Sequence, residues 1–148
     1  MSRNLISHRG NITGPQPTFE NKIRYINNAL KKGYEVEIDV WYIDGQWYLG
    51  HDEPQERINA SFFQRRGFWV HAKSIEAFLN LQKIYGVNYF FHQKDDYTLT
   101  SIGWCWAYPG KQVIPGFNTI AVLPEIYNTD VKNFAGICSD FIENYKDD

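Results

Sequence analysis

Two hydrophobic periods alternate along the first two-thirds of the chain. Leu5-Ile6-Ser7 is a short apolar run that ends at His8 and predicts a strand. Residues 11–17 hold two prolines and a glycine and predict a loop. Thr18 is placed to cap a helix over 19–32, with Ile23, Ile26, Ala29 and Leu30 as its apolar stripe and Gly33 as its stop. From residue 34 to 43 the period drops to two. Val36, Ile38 and Val40 alternate with Glu35, Glu37, Asp39 and Trp41, which predicts a strand with its carboxylates on one side. Asp44-Gly45 is a hairpin turn signal, and 46–50 reads as the return strand, ending at His51-Asp52. Residues 53–61 read as a polar loop, with a helical turn near 60–64.

The pattern then repeats. A strand over 68–70 ends at His71-Ala72-Lys73. Ser74 can cap a helix to residue 85, with Ala77, Phe78, Leu81 and Ile84 facing inward and Gly86 as its stop. A strand over 88–91 ends at His92. Beyond it, strand-like runs at 103–107, 119–123 and 136–138 are joined by irregular links, with a turn around 128–134. Alternating strands and helices predict parallel α/β units, and the length of 148 residues predicts a single domain over 1–148.

Composition narrows the class. Apolar residues make up 43% and aromatic residues 17%, which argues for a packed core rather than disorder. The net charge of −2 comes without a basic tract, so a nucleic-acid polymer is not an expected partner. Cys105 and Cys138 form no zinc pattern and read as reduced, buried thiols. There is no secretory pattern and no 18-residue apolar run, so a soluble cytoplasmic protein without a membrane span is expected.

The polar residues fall at the strand ends. His8, His51, His71 and His92 each follow an apolar strand run, and Arg9, Glu37, Asp39, Lys73, Glu125 and Asp140 lie in equivalent places. In parallel α/β folds, sites are built at that edge. Glu37 and Asp39 project to the same side and repel unless a cation or a donor lies between them. A hard divalent ion would answer that repulsion; a solvated strand face continued by Glu35 is the alternative. His8 and His51 can move protons near neutrality. Alternatively, His8 is a capped loop residue and His51 a turn residue bonded to Asp52. Arg9 and Lys73 can grip a phosphate or make surface ion pairs. Trp104 and Trp106 can stack on a ligand or pack the core and rim, and Tyr108-Pro109-Gly110 reads as a turn.

These residues resemble the glycerophosphodiester phosphodiesterase family, within the phospholipase-C-like phosphodiesterase superfamily. The matching text is His8-Arg9-Gly10, then Phe19-Glu20-Asn21, residues 33–40, Asp44-Gly45 and His51-Asp52, about the first third of the chain. The resemblance implies a TIM-type barrel, His8 and His51 as the acid/base pair, and Glu37 and Asp39 as metal ligands. It also implies Arg9 on the phosphate and a magnesium or calcium cofactor. Glu20, His92 and Trp106 are further candidates for the pocket.

Two departures qualify it. Where the family carries Glu-x-Lys, this chain has His71-Ala72-Lys73. Lys73 is kept, and the third ligand becomes His71 or is supplied by Glu125, Asp140 or His92. An imidazole would favour manganese or zinc over calcium. The chain is also short for such a barrel, which needs about 200 residues or more. Residues 136–140 resemble the closing strand, so the expected fold is a reduced TIM-type barrel with a helix-poor C-terminal third. The expected activity is metal-dependent cleavage of a small or lipid-linked phosphodiester. The alternatives are a non-catalytic module that binds a phosphorylated ligand, and a lyase or phosphotransferase that gives a cyclic phosphate.

Overall fold

The computed structural model describes residues 3–147. One sheet holds β1 (Asn4–His8), β2 (Glu35–Ile43), β3 (Gln46–Leu49), β4 (Glu56–Ile58), β5 (Phe68–Ala72), β6 (Tyr89–Phe91), β7 (Tyr97–Leu99), β8 (Cys105–Ala107), β9 (Thr119–Val122) and β10 (Gly136–Ser139). Among the described residues three short helices accompany it: α1 (Ile23–Lys31), α2 (Ala60–Phe63) and α3 (Ile75–Leu81). Two 3-10 turns lie at Pro124–Ile126 and Ile142–Tyr145.

Parallel ladders join β6, β5, β2, β1, β10, β9 and β8 in that order. β3 folds back antiparallel on β2, β4 on β3, and β7 on β8. Among the described residues no ladder joins β6 to β7 or β8. The result is an open, curled mixed sheet, a half-barrel. This corrects the expected reduced TIM-type barrel, which needs a closed ring and a helix after each strand. The helices here are nine, four and seven residues long, and beyond β6 the connections hold only loops and 3-10 turns. β10 does pair with β1 and β9, as a closing strand would, but the ring stays open elsewhere.

Strand alternation divides the core in two. On the helix side, Val36, Ile38 and Val40 of β2 are fully buried with Ile26 and Ala29 of α1 and Ala77 and Leu81 of α3. On the other side, Ile6, Trp69, Phe90, Trp106, Ile120, Val122 and Cys138 form a smaller cluster. Cys138 is buried and Cys105 half-buried, and both are free thiols. Among the described residues no helix is long and apolar enough to cross a membrane.

Local differences from the predicted elements have physical causes. α1 starts at Ile23 rather than residue 19 because Asn21 takes a left-handed φ of 57°, which a right-handed helix cannot pass through. Ser74 caps α3 as predicted, its side chain accepting from the Ala77 N–H, but the helix ends at Leu81. The Asp44-Gly45 turn has positive φ at both residues, 49° and 77°, as a two-residue hairpin requires.

Candidate functional site

β2 builds the centre of the site. Its alternation sends Glu37 and Asp39 to the concave side, and both carboxylates are buried, at 3% and 1% exposure. Register then brings their neighbours. His8 of β1 lies opposite Glu37, and His71 of β5 lies opposite Asp39. Paired residues on adjacent strands are only about 4.8 Å apart, so the four side chains must interact.

Asp39 is the most heavily engaged. Its Oδ1 lies 2.9 Å from His71 Nδ1, and its Oδ2 accepts from Asn21 Nδ2 at 2.8 Å. Asn21 Oδ1 in turn accepts from the Asp39 backbone N–H at 3.0 Å. The Arg9 guanidinium sits 3.3 Å from the same carboxylate and 3.3 Å from Glu20 Oε1. Burial alone would raise the Asp39 pKa, but the His71 hydrogen bond and the charges of His71, Arg9 and Lys73 outweigh it and hold the group well below the usual carboxylate range. Glu37 goes the other way: burial, then the Asp39 charge, push it up. The pair therefore divides one site between a fixed anion and a carboxyl that changes charge readily.

Glu37, Asp39 and His71 can bring one ligand atom each within 4.8 Å of one another, and they form the metal-capable group found among the described residues. Two of their atoms, Glu37 Oε1 and His71 Nε2, are buried without a hydrogen-bond partner. Glu125 and Asp140 do not join them. Glu125 accepts from Ser139 Oγ at 2.9 Å and from the Asp140 N–H at 3.1 Å, which ties down the end of β10. Asp140 Oδ1 lies 2.7 Å from His8 Nδ1 and accepts from Asn11 Nδ2 at 2.9 Å. Burial disfavours the His8 charge, but the Asp140 bond and the Glu37 charge outweigh it and raise its pKa.

His51 stands on a different support. It follows β3, past Gly50, and its Nδ1 lies 2.7 Å from Asp52 Oδ1. Burial lowers its pKa. Asp52 is 92% exposed, against 17% for Asp140, so the His51 pair is the weaker clamp. Gly50 sets the position of this loop: at φ 152°, a Cβ there would stand 1.9 Å from the Glu53 carbonyl oxygen. Gly50→Ala is expected to cost about 1–3 kcal/mol by chemical denaturation, since the strained backbone has no room to relax in place.

His8, Arg9, Glu37, Asp39, His51, His71 and Lys73 all face one cavity of about 580 Å³. His92 and Trp106 line its other wall. Glu20 lines a smaller adjoining cavity of about 250 Å³, together with Arg9, Asn21 and His51. The His71 ring is stacked on His92 at 4.5 Å and on Phe90 at 5.0 Å. Burial, then the charges of His71 and Lys73, lower the His92 pKa to about 4. Trp106 is 2% exposed and packs on Trp69 and Phe90, so it is chiefly a core residue whose face forms cavity wall. Trp104 packs edge-on against Trp69, 5.4 Å away.

Some positioning residues carried no sign in the sequence of what they hold. Asn21 and Asn11 orient Asp39 and Asp140. Asn21 sits at a left-handed φ that asparagine tolerates better than most residues. Tyr108 reads as part of a turn, yet it lines the cavity with Leu123. Comparison of the chain with protein-family models, with characterised protein sequences and with solved structures returns no match.

Proposed function

We propose that this chain cleaves phosphodiesters at the concave cavity, with a divalent cation held by Glu37, Asp39 and His71. One observation carries this reading: the buried two-carboxylate, one-imidazole cluster shares a cavity with two further histidines, each bonded to an aspartate. The resemblance of His8-Arg9-Gly10, Glu37-x-Asp39 and His51-Asp52 to the glycerophosphodiester phosphodiesterase family supports the same reaction.

The donor set fits a cation. Two oxygens and one imidazole nitrogen suit manganese or zinc better than magnesium or calcium, and three protein ligands leave positions open. Once bound, the ion supplies charge stabilisation at the phosphoryl oxygens. The remaining work falls to the chain. Arg9 and Lys73 present cations to the phosphate from the cavity wall. A water or substrate hydroxyl oxygen bonds to phosphorus and loses its proton to one imidazole. The phosphorus–oxygen ester bond breaks, and the departing oxygen takes a proton from the other imidazole. His8 and His51 share these two transfers, with Asp140 and Asp52 orienting their Nδ1 atoms.

The unequal burial of the two aspartates gives a test. Asp140→Asn is expected to lower kcat by about 10²-fold, at the lower end of general acid–base effects. Asp52→Asn, whose carboxylate is almost fully in water, is expected to change it far less. Steady-state rates on a panel of phosphodiesters, with product identified by phosphorus NMR, would check both. Equal losses in the two variants would contradict the assigned roles.

A further inference from the structure

α1 has an outer face, opposite its buried Ile26 and Ala29. Exposed Asn27, Asn28 and Lys31 lie three, four and seven positions after exposed Arg24, so these four side chains share that face. With Phe19, Lys22 and Tyr25 they line a groove of about 620 Å³. Three of the lining side chains are cations and none is a carboxylate. Among the described residues Arg24 and Lys31 make no ion pair. Arg65 brings a further cation to the edge, its Nη2 donating to Asn27 Oδ1 at 3.1 Å. The whole chain has a net charge of −2, so this positive face is a local excess.

The same groove reaches the rim of the catalytic site. Phe19 is 54% exposed, with its ring 5.9 Å from that of Tyr25. The Tyr25 hydroxyl donates to Asn11, the residue that also holds Asp140. Lys22 Nζ donates to Gln55 Oε1 at 2.6 Å, and Gln55 lines the smaller cavity with Glu20 and Asn21. An exposed phenylalanine alone means little. Beside unpaired cations it matches the headgroup layer of an anionic bilayer, where an aromatic ring enters the interface and lysine and arginine meet lipid phosphates. An acidic polypeptide would answer the charge but not the ring.

We infer that Phe19, Lys22, Arg24 and Lys31 form a docking face for an anionic lipid surface, with the rim of the catalytic site beside the headgroups. The inference goes beyond the proposed reaction and is read without turnover.

Co-sedimentation with vesicles tests it. Vesicles of equal parts phosphatidylcholine and phosphatidylglycerol are expected to carry the protein down, and vesicles of phosphatidylcholine alone are not. Arg24→Gln combined with Lys31→Gln should weaken the binding about 30-fold, as expected for two cations lost from an anionic surface. Neither side chain is paired within the fold, so the double variant should keep its unfolding transition. Phe19→Ser should weaken binding about tenfold. No binding to the anionic vesicles, equal binding to both kinds, or binding unchanged in these variants would overturn the inference. Binding of polyglutamate as tight as that of vesicles, or self-association lost in the same variants, would assign the face to an acidic protein or a second copy and overturn it too. Turnover of a soluble phosphodiester without vesicle binding would remove the docking face and leave the proposed reaction standing. Vesicle binding without turnover would support the face and count against the reaction.

Discussion

Asp39→Ala is expected to destabilise the fold by about 3–5 kcal/mol, the range for removing one partner of a buried charged network. The carboxylate is 1% exposed and is met by His71, Asn21 and Arg9. Its loss strands a guanidinium and an amide donor in the wall of the cavity, and the stranded groups cost more than the bonds themselves. The same change should abolish divalent-cation binding, because the cluster falls from three ligands to two. Denaturant unfolding and a manganese titration would read the two effects separately. Asp39→Asn keeps the shape and one acceptor, so it should recover part of the stability while still losing the cation.

His8→Ala is expected to act almost wholly on rate. General acid–base groups contribute about 10²–10⁴-fold, and His8 is the histidine most firmly held for that task. Its Nδ1 is fixed 2.7 Å from Asp140, and its Nε2 is 3.8 Å from Glu37. Asp140 keeps its Asn11 bond when the imidazole goes, so the end of β10 should hold. Phosphodiester turnover measured at equal cation occupancy should fall by that factor, with cation affinity retained. A variant that kept its rate would remove His8 from the chemistry.

The parts of this molecule that were legible in the sequence are those set by near neighbours. The period-two run of β2 fixes which side Glu37 and Asp39 face, and Asp44-Gly45 fixes the hairpin that carries His51 towards the cavity. Register did the rest, placing His71 opposite Asp39, and no local signal reports register across a gap of 32 residues. The His8–Asp140 contact spans 132 residues and was hidden for the same reason. The barrel expectation failed at long range. Strand–helix alternation is a local pattern, whereas closure needs β6 to pair with a strand near the other end of the curl, and it does not. β7 follows the polar run 93–96 and sets Thr98 between Tyr97 and Leu99, so no continuous apolar run announces it. Leu123 takes a left-handed φ of 46° while its N–H donates to the Cys138 carbonyl, a tertiary constraint on a residue that would not choose that backbone by itself.

In the proposed function, the Glu37, Asp39 and His71 cluster takes a divalent cation in the service of phosphodiester cleavage by His8 and His51. The most direct measurement is phosphodiester turnover as a function of added manganese, magnesium, zinc and calcium, beginning from chelator-treated protein. Turnover is expected to be absent without metal, to saturate with manganese or zinc ahead of magnesium and calcium, and to fall about 10²–10⁴-fold in His8→Ala. No turnover of any phosphodiester with any of these ions, together with no cation bound at millimolar concentration, would contradict it.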